Sequence, residues 1–136
     1  MNEKLYKLGI DIGSTTVKIA ILDEQDNLIF SDYERHFANI QETLSNLLHK
    51  AFDSTGEIMV SPMITGSGGL TLAKHLGIDF VQEVIAVSTA LTHYAPQTDV
   101  AIELGGEDAK IIYFENGNVE QRMNGICAGG TGSFID

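Results

Sequence analysis

The chain has 136 residues, of which 43% are hydrophobic and 20% are charged, so it can bury a core and is not expected to be disordered. Its formal net charge of −11 disfavours non-specific binding to nucleic acid or to an anionic membrane, because both need a basic surface. Any phosphate group that it binds must be held locally, by backbone amides, a lysine or a metal ion.

The amino-terminal stretch MNEKLYKLGIDIG lacks the apolar core of a secretory signal, and no apolar run approaches the roughly 18 residues of a membrane span. We therefore expect a cytoplasmic protein whose partners include neither nucleic acid nor membrane. The single cysteine, Cys127, excludes an internal disulfide. In a reducing compartment such a thiol is either inert packing or a reactive or ligand thiolate.

The chain contains an internal repeat. The segments GIDIGSTTVKIAILD (residues 9–23) and AIELGGEDAKIIYFE (residues 101–115) share a pattern of apolar residue, acid, apolar residue, Gly, four residues, Lys and Ile, at an offset of 92 positions. Asp11 thus corresponds to Glu103. Each copy predicts a three-stranded antiparallel meander, with its third strand over residues 28–33 in the first copy and 119–124 in the second.

Between the two meanders the sequence predicts three helices and two strands. Asn39 can cap the first helix, whose apolar stripe begins at Ile40. The later elements are a buried strand over residues 59–65, the loop TGSGG, a helix over about 70–75, a short strand near Val81, a helix over about 86–93 and the connection PQTD over 96–99.

The second copy stops at NGICAGGTGSFID, where the helix after its meander would begin. Because the first copy continues into a helix near Ile40, we expect the chain to be a fragment of a longer protein. Residues 1–96 would form the first subdomain, and residues 97–136 would be the start of the second.

Both copies place an acid before a glycine-rich turn, a pattern that suits phosphate and metal binding. Glycines let backbone N–H groups converge without Cβ atoms in the way, and an acid two residues earlier can hold Mg²⁺ directly or through water. Asp11 is the first candidate for the Mg²⁺ ligand. The candidates for phosphate contact are Gly13, Ser14, Thr15, Thr16, Lys18, Gly105 and Gly106.

A single turn of this kind could be an ordinary hairpin with a hydrophilic tip. The duplication favours two halves that face each other across a cleft and close on one nucleotide tail. Glu107 and Asp108 could orient water, position Mg²⁺ or be exposed acids, and Lys110 could be a solvent-facing strand residue. The histidines show no metal-ligand spacing and are expected at the surface or within helices; they are His36, His49, His75 and His93.

These motifs resemble those of the sugar kinase, actin and heat-shock chaperone ATPase superfamily: GIDIGSTTVK is similar to its first phosphate motif and IELGGEDAK to its second. Within it, the chain resembles the ATPase activators of 2-hydroxyacyl-CoA dehydratases and benzoyl-CoA reductases, and CAGGTG (residues 127–132) is similar to their iron–sulfur segment. The chain departs from that family at Glu103 and Glu107, where the family usually has Asp and Gln.

The resemblance implies an α/β protein with a ribonuclease H-like (actin-like ATPase) fold, whose first subdomain is complete and whose second is truncated after its meander. It implies ATP and Mg²⁺ bound between the halves, with Asp11, Glu103 and Glu107 as catalytic residues. It also implies a [4Fe–4S] cluster that Cys127 ligates and that two subunits of a homodimer share. ATP hydrolysis would then drive electron transfer to a partner dehydratase or reductase, and the fragment alone would have neither activity nor cluster.

Two other functions are compatible with the motifs. One is a small-molecule kinase, in which the acid near Glu103 acts as a base toward a substrate hydroxyl. The other is a non-catalytic, actin-like scaffold that binds nucleotide for assembly. Cys127 discriminates between the kinase and the activator, because a kinase does not need a thiol at the start of the second helix.

Overall fold

The computed structural model describes residues 4–97, 100–104, 109–115 and 118–123, and it describes side chains for residues 4–97. Contacts divide the chain into two compact units, Met1–Val81 and Gln82–Asp136. The predicted subdomain boundary between residues 96 and 97 stays a prediction.

The first unit is built on a five-stranded mixed sheet. Its strands are β1 (Leu5–Ile12), β2 (Thr16–Leu22), β3 (Leu28–Arg35), β4 (Met59–Thr65) and β5 (Asp79–Phe80). They lie side by side in the order β3-β2-β1-β4-β5, so that the predicted first meander is confirmed. β4 pairs with β1 in parallel. Because parallel strands end at the same edge of a sheet, the carboxyl ends of β1 and β4 meet beside the first hairpin turn.

One face of this sheet carries the core. Alternate residues of β1 and β2 point to this face, and β4 and two helices, α1 (Ile40–Thr55) and α2 (Gly69–Leu76), supply its other buried side chains. The buried apolar residues are Leu8, Ile10, Ile12, Val17, Ile19, Ile21, Leu44, Leu47, Ala51, Ile64, Leu72 and Ala73. Since side chains alternate along a strand, Asp11 and Lys18 lie on the opposite face.

The predicted amphipathic helix is confirmed as α1, but the predicted side-chain cap is wrong. Asn39 makes no side-chain hydrogen bond to the helix. A tight turn precedes α1, in which the Asn39 N–H donates to the His36 carbonyl at 2.6 Å. The Asn39 carbonyl accepts the first hydrogen bond of the helix from the Thr43 N–H at 3.0 Å, and it also accepts a 2.8 Å hydrogen bond from the Thr43 hydroxyl.

The second unit contains α3 (Glu83–Tyr94) and an antiparallel sheet of β6 (Val100–Leu104), β7 (Ala109–Glu115) and β8 (Asn118–Met123), in the order β6-β7-β8. The predicted second meander is therefore confirmed, and α3 begins three residues before the predicted start at Ala86. Within the described ranges α1 is the longest helix at 16 residues, and no helix is long and apolar enough to cross a membrane.

Candidate functional site

Asp11 lies near the carboxyl end of β1, where it is half-buried on the face of the sheet opposite the core. Its Cα partners are Lys18 on β2 and Thr65 on β4. Lys18 is exposed. The strand pairing therefore brings one predicted metal ligand and one predicted phosphate ligand side by side at the edge where β1 and β4 end.

The turn between β1 and β2 carries the other predicted phosphate residues of the first repeat, Gly13 to Thr16. The Gly13 N–H donates to the Thr16 carbonyl at 2.9 Å. Across the part of the chain that the structure describes, the reciprocal bond from the Thr16 N–H to the Gly13 carbonyl is not formed. The tip of the hairpin is therefore more open than a fully hydrogen-bonded turn.

His36 occupies the position behind this turn. Its backbone N–H donates to the Thr15 carbonyl at 2.9 Å, and its ring Nε2 lies 3.0 Å from the Gly13 carbonyl oxygen. The residue is only 8% exposed. The expectation that His36 lies at the surface or within a helix is wrong, because the residue follows β3 directly and packs beneath the hairpin.

The hydrogen bonds of the His36 ring define its tautomer. The N–H of Ala38 donates to Nδ1 at 3.0 Å, so Nδ1 is the unprotonated nitrogen and Nε2 carries the proton that it donates to Gly13. The backbone turns sharply at this point, with positive φ angles of 45° at Phe37 and 67° at Ala38. Residues other than glycine rarely adopt this left-handed backbone conformation, and each one that does costs the fold roughly 1–2 kcal/mol.

The loop Thr65–Gly69, the TGSGG motif of the sequence, packs directly over the end of β1. The Gly68 N–H donates to the Ile12 carbonyl at 3.0 Å. Gly66 has a φ of +101°, and a Cβ at this position would lie 2.2 Å from the Ile12 carbonyl oxygen and 2.6 Å from Oδ1 of Asp11. Only glycine fits here, so the loop forms a close backbone wall beside the Asp11 carboxylate.

The edge formed by β1 and β4 presents oxygen atoms of the kind that could hold Mg²⁺. Besides the Asp11 carboxylate, it contains the Thr65 hydroxyl, whose buried oxygen has no hydrogen-bond partner among the described residues. Hard cations take oxygen ligands, often through water. Among the side chains that the structure describes, there is no group of three or more metal-ligating residues, so Mg²⁺ would keep several water or phosphate ligands here.

The second repeat reproduces the pairing of the first. Glu103 on β6 is the register partner of Lys110 on β7, as Asp11 is of Lys18. The remaining predicted residues of this half lie outside the described residues; they are Gly105, Gly106, Glu107 and Cys127. Whether the two hairpins share one cleft therefore stays a prediction.

A surface groove in the described part of the chain lies elsewhere. It is an open groove of about 380 Å³ between α1 and α2, with Leu44, Leu48, Phe52 and Leu72 among its lining residues. None of the predicted site residues lines it. The groove therefore does not form part of the candidate site at the end of β1.

Known proteins resemble this chain over nearly its whole length. The BadF/BadG/BcrA/BcrD ATPase family matches residues 8–136. Over 140 aligned residues the chain is 30% identical to the (R)-2-hydroxyglutaryl-CoA dehydratase activating ATPase of Acidaminococcus fermentans, and the match covers 97% of this chain and 52% of that protein. The chain thus spans about half the length of this relative.

Two solved structures show the same likeness. The crystal structure of component A of the (R)-2-hydroxyglutaryl-CoA dehydratase from A. fermentans has a TM-score of 0.78 at 29% identity, over 97% of this chain and 52% of that one. The activator of the 2-hydroxyisocaproyl-CoA dehydratase from Clostridium difficile with bound ADPNP has a TM-score of 0.78 at 27% identity, over 96% and 50%. These matches confirm the predicted ribonuclease H-like (actin-like ATPase) fold.

Proposed function

Because the chain belongs to the BadF/BadG/BcrA/BcrD ATPase family, we propose that it forms the first nucleotide-binding half of an ATP-hydrolysing, iron–sulfur-containing activator. The activator would deliver electrons to a CoA-substrate dehydratase or a related reductase in the cytoplasm. The observation that carries this proposal is the edge at the ends of β1 and β4. There the half-buried Asp11 carboxylate lies beside the open turn Gly13–Thr16 and beside the closely packed backbone of the loop Thr65–Gly69.

In the first half, Asp11 holds Mg²⁺ directly or through water, and the turn Gly13–Thr16 and Lys18 hold the outer phosphates. A metal-bound phosphoryl group develops charge in its transition state, and positioned donors and cations stabilise that charge without covalent chemistry. The exposed position of Lys18, directly across from Asp11, suits a residue that neutralises phosphate charge.

In the second half, Glu103, Gly105 and Gly106 close on the phosphates from the other side, and Glu103 or Glu107 orients the attacking water. The identical register of the Asp11–Lys18 and Glu103–Lys110 pairs supports an equivalent role for the two hairpins. Hydrolysis of ATP would change the relation between the halves and so make transfer of an electron to the partner enzyme favourable.

Cys127 ligates a [4Fe–4S] cluster that two copies of the protein share in this proposal. Cysteine thiolates are the usual ligands of such clusters, and the cluster supplies a one-electron redox centre when bound. The support is the sequence CAGGTG and the family match, which extends through Cys127 to residue 136.

The first test measures Mg-ATP hydrolysis by the protein at its full native length, purified without oxygen. We expect Asp11→Asn to lower kcat by about 10²-fold or more, because the substitution removes a charge that holds the metal ion. Asp53→Asn is the matched control, since Asp53 is exposed on α1. Tight nucleotide binding without phosphate release in the unmodified protein would favour an actin-like scaffold instead.

The second test measures iron and labile sulfide in the same anaerobic protein, with and without Cys127→Ser. We expect about four iron atoms per dimer in the unmodified protein, because one [4Fe–4S] cluster is shared by two subunits, and we expect that iron to be lost in the variant. If the unmodified protein hydrolyses ATP but holds no stoichiometric iron, the proposed ATPase activity stands and the proposed redox function is refuted.

A further inference from the structure

We propose that His36 is a positioning residue that holds the tip of the first hairpin open and so presents the Ser14 and Thr16 N–H groups to a phosphate group. This inference rests on the proposed nucleotide-binding function. His36 lies on the face of the turn away from those N–H groups and has no direct contact with the phosphate in this arrangement.

In the described part of the chain, the tip of the first hairpin lacks one half of a hydrogen-bonded pair. In an antiparallel hairpin, facing residues of a hydrogen-bonded pair exchange both N–H···O bonds. Gly13 and Thr16 make one of these bonds, from the Gly13 N–H, and the described residues lack the other. The Gly13 carbonyl instead accepts the proton on Nε2 of His36. The histidine ring has therefore replaced the Thr16 N–H as the donor to this carbonyl.

The planarity of the peptide bond fixes the direction of the Ser14 and Thr16 N–H groups. In a trans peptide the C=O and the N–H of one unit point in opposite directions, and every described peptide bond is trans. His36 binds the carbonyls of Gly13 and Thr15, which belong to the same peptide units as the N–H groups of Ser14 and Thr16. Both N–H groups therefore point away from the His36 atoms that bind these carbonyls.

The His36 ring is held firmly in one orientation. His36 is fixed at three points, through its backbone N–H, Nδ1 and Nε2, and it is 8% exposed. The next two residues keep the positive φ angles that bring the Ala38 N–H back to Nδ1. Strained backbone of this kind persists only where the surrounding contacts determine it, and such strain clusters at functional sites. The segment thus fixes both the tautomer and the direction of the Nε2 donor.

One experiment tests the open tip directly and does not depend on nucleotide binding. Amide hydrogen exchange of Thr16 is measured by NMR in ¹⁵N-threonine-labelled protein at its full native length. In His36→Ala the freed Gly13 carbonyl can accept the Thr16 N–H, so we expect Thr16 to exchange about tenfold more slowly than in the unmodified protein. Unchanged exchange of Thr16, with the protein folded, would overturn the inference.

Two conservative variants separate the ring's contacts. His36→Gln keeps a donor that can reach the Gly13 carbonyl, whereas His36→Asn keeps an acceptor for the Ala38 N–H but is too short to reach Gly13. We expect the Gln variant to resemble the unmodified protein and the Asn variant to resemble His36→Ala. His49→Asn is the control, because among the described residues the His49 ring is hydrogen-bonded to the carbonyl of Ser45 within α1 and to no group of the hairpin. The reverse order of the Gln and Asn variants contradicts the role of the Nε2 donor.

The tautomer gives a measurement that needs no variant, and so it applies even if the variants do not fold. In ¹⁵N-histidine-labelled protein we expect Nδ1 of His36 to carry no proton and Nε2 to carry one, because Nδ1 accepts the N–H of Ala38 and Nε2 contacts the Gly13 carbonyl. A proton on Nδ1, in either the other tautomer or the imidazolium, would be incompatible with the N–H of Ala38 as donor and would overturn the inference.

Nucleotide affinity then links the open tip to phosphate. With Mg²⁺ and ADPNP as the probe, we expect His36→Asn to raise Kd by about tenfold or more and His36→Gln by less than about threefold. If the unmodified protein binds ADPNP and the Asn variant binds equally well, the inference about His36 fails and the proposed function stands. If the unmodified protein does not bind ADPNP, the proposed function fails, and the phosphate role of His36 fails with it.

Discussion

The two meanders of this chain share the register of their first hairpin and differ in the loop that follows. Asp11 faces Lys18 in the first meander, and Glu103 faces Lys110 in the second. Both copies keep the same feature: an acid on one strand pairs with a lysine on the next, at the same distance from the turn. The shared element is therefore the hairpin that carries the candidate chemistry.

The loop between the second and third strands is built differently in the two copies. In the first meander, residues 23–27 separate β2 from β3, and the pairing shifts at Ile21/Leu22. In the second meander, Glu115 pairs with Asn118, so that only two residues separate the strands. The loop has thus changed in length and register between the copies while the acid–lysine hairpin has not, as expected of a connection far from the site.

The support behind the hairpin also differs in sequence. The first hairpin rests on His36, which follows β3. The sequence after β8 reads NGIC and contains no histidine, but it contains Cys127. The repeat therefore duplicated the acid and the lysine without the histidine, so the two halves are not interchangeable in the proposed mechanism.

The prediction with the largest effect tests whether the two acids act on one metal-bound phosphate. We expect Asp11→Asn and Glu103→Gln each to lower ATP turnover by about 10²-fold or more, and the double variant to be much less impaired than the product of the single effects, because groups that act as a unit are not additive. The measurement is kcat of the full-length protein. Fully additive losses would separate the two hairpins into independent sites.

The next prediction concerns the loop Thr65–Gly69 beside Asp11, a feature that the structure describes only for the first hairpin. Gly66→Ala should lower the free energy of unfolding by about 2–4 kcal/mol, since the new Cβ overlaps the Ile12 carbonyl and the φ of +101° strains it. Gly77→Ala is the control: its φ is +67° and a Cβ there has nothing within 4 Å, so it should cost only about 1–2 kcal/mol. Urea unfolding measures both, and equal costs would contradict close packing at Gly66.

The smallest expected effect lies in the loop by which the meanders differ. Asp23 accepts hydrogen bonds from the backbone N–H groups of Asn27 and Gln25, each at 2.9 Å. The hydrogen bond from Asn27 is the main cause that lowers the pKa of Asp23 below the ordinary aspartate value. A lowered pKa in the folded state means that this carboxylate stabilises the fold above the unfolded pKa and loses that contribution as pH falls through the folded pKa.

We therefore expect Asp23→Ala to lower Tm slightly at pH 7, and the difference from the unmodified protein to shrink below about pH 4, where an unfolded aspartate becomes protonated. Thermal unfolding followed by circular dichroism measures it. Asp53→Ala is the control on α1. A difference in Tm that is the same at pH 7 and at pH 3 would show that the loop does not depend on the charge of Asp23.

The sequence could predict the parts of this fold that repeat or alternate. The repeated strand–turn–strand pattern predicted the first meander, and the apolar stripe that begins at Ile40 predicted α1, because burial of one helix face imposes that period. The spacing of Asp11, Gly13 and Lys18 predicted a strand, a turn and a second strand that carries the lysine, and the structure adds that Asp11 and Lys18 are register partners. Such local patterns carry their own geometry, since each depends only on neighbours in the chain.

The sequence could not predict the parts of the site that long-range packing creates. His36 lies 23 positions from Gly13 and belongs to no recognisable motif, so only the pairing of β2 with β3 brings it to the turn. The need for glycine at Gly66 likewise arises from β1, through Ile12 and Asp11. The one available signal was HFAN after β3, where a loop histidine precedes a helix, and that signal is weak. Asn39 occupies the N-cap position, as its residue type suggested, but its side chain makes no cap hydrogen bond.

The parallel pairing of β1 with β4 has a consequence for the order in which the chain folds. β1 and β2 are adjacent in sequence, so their hairpin can form early, whereas joining β4 to β1 closes a loop that contains two strands and α1. The loop Thr65–Gly69 reaches Asp11 only when β4 joins the sheet. The hairpin can therefore form before the edge that we propose as the Mg²⁺ and phosphate site is complete, and under that proposal nucleotide stabilises only the product of the slower closure.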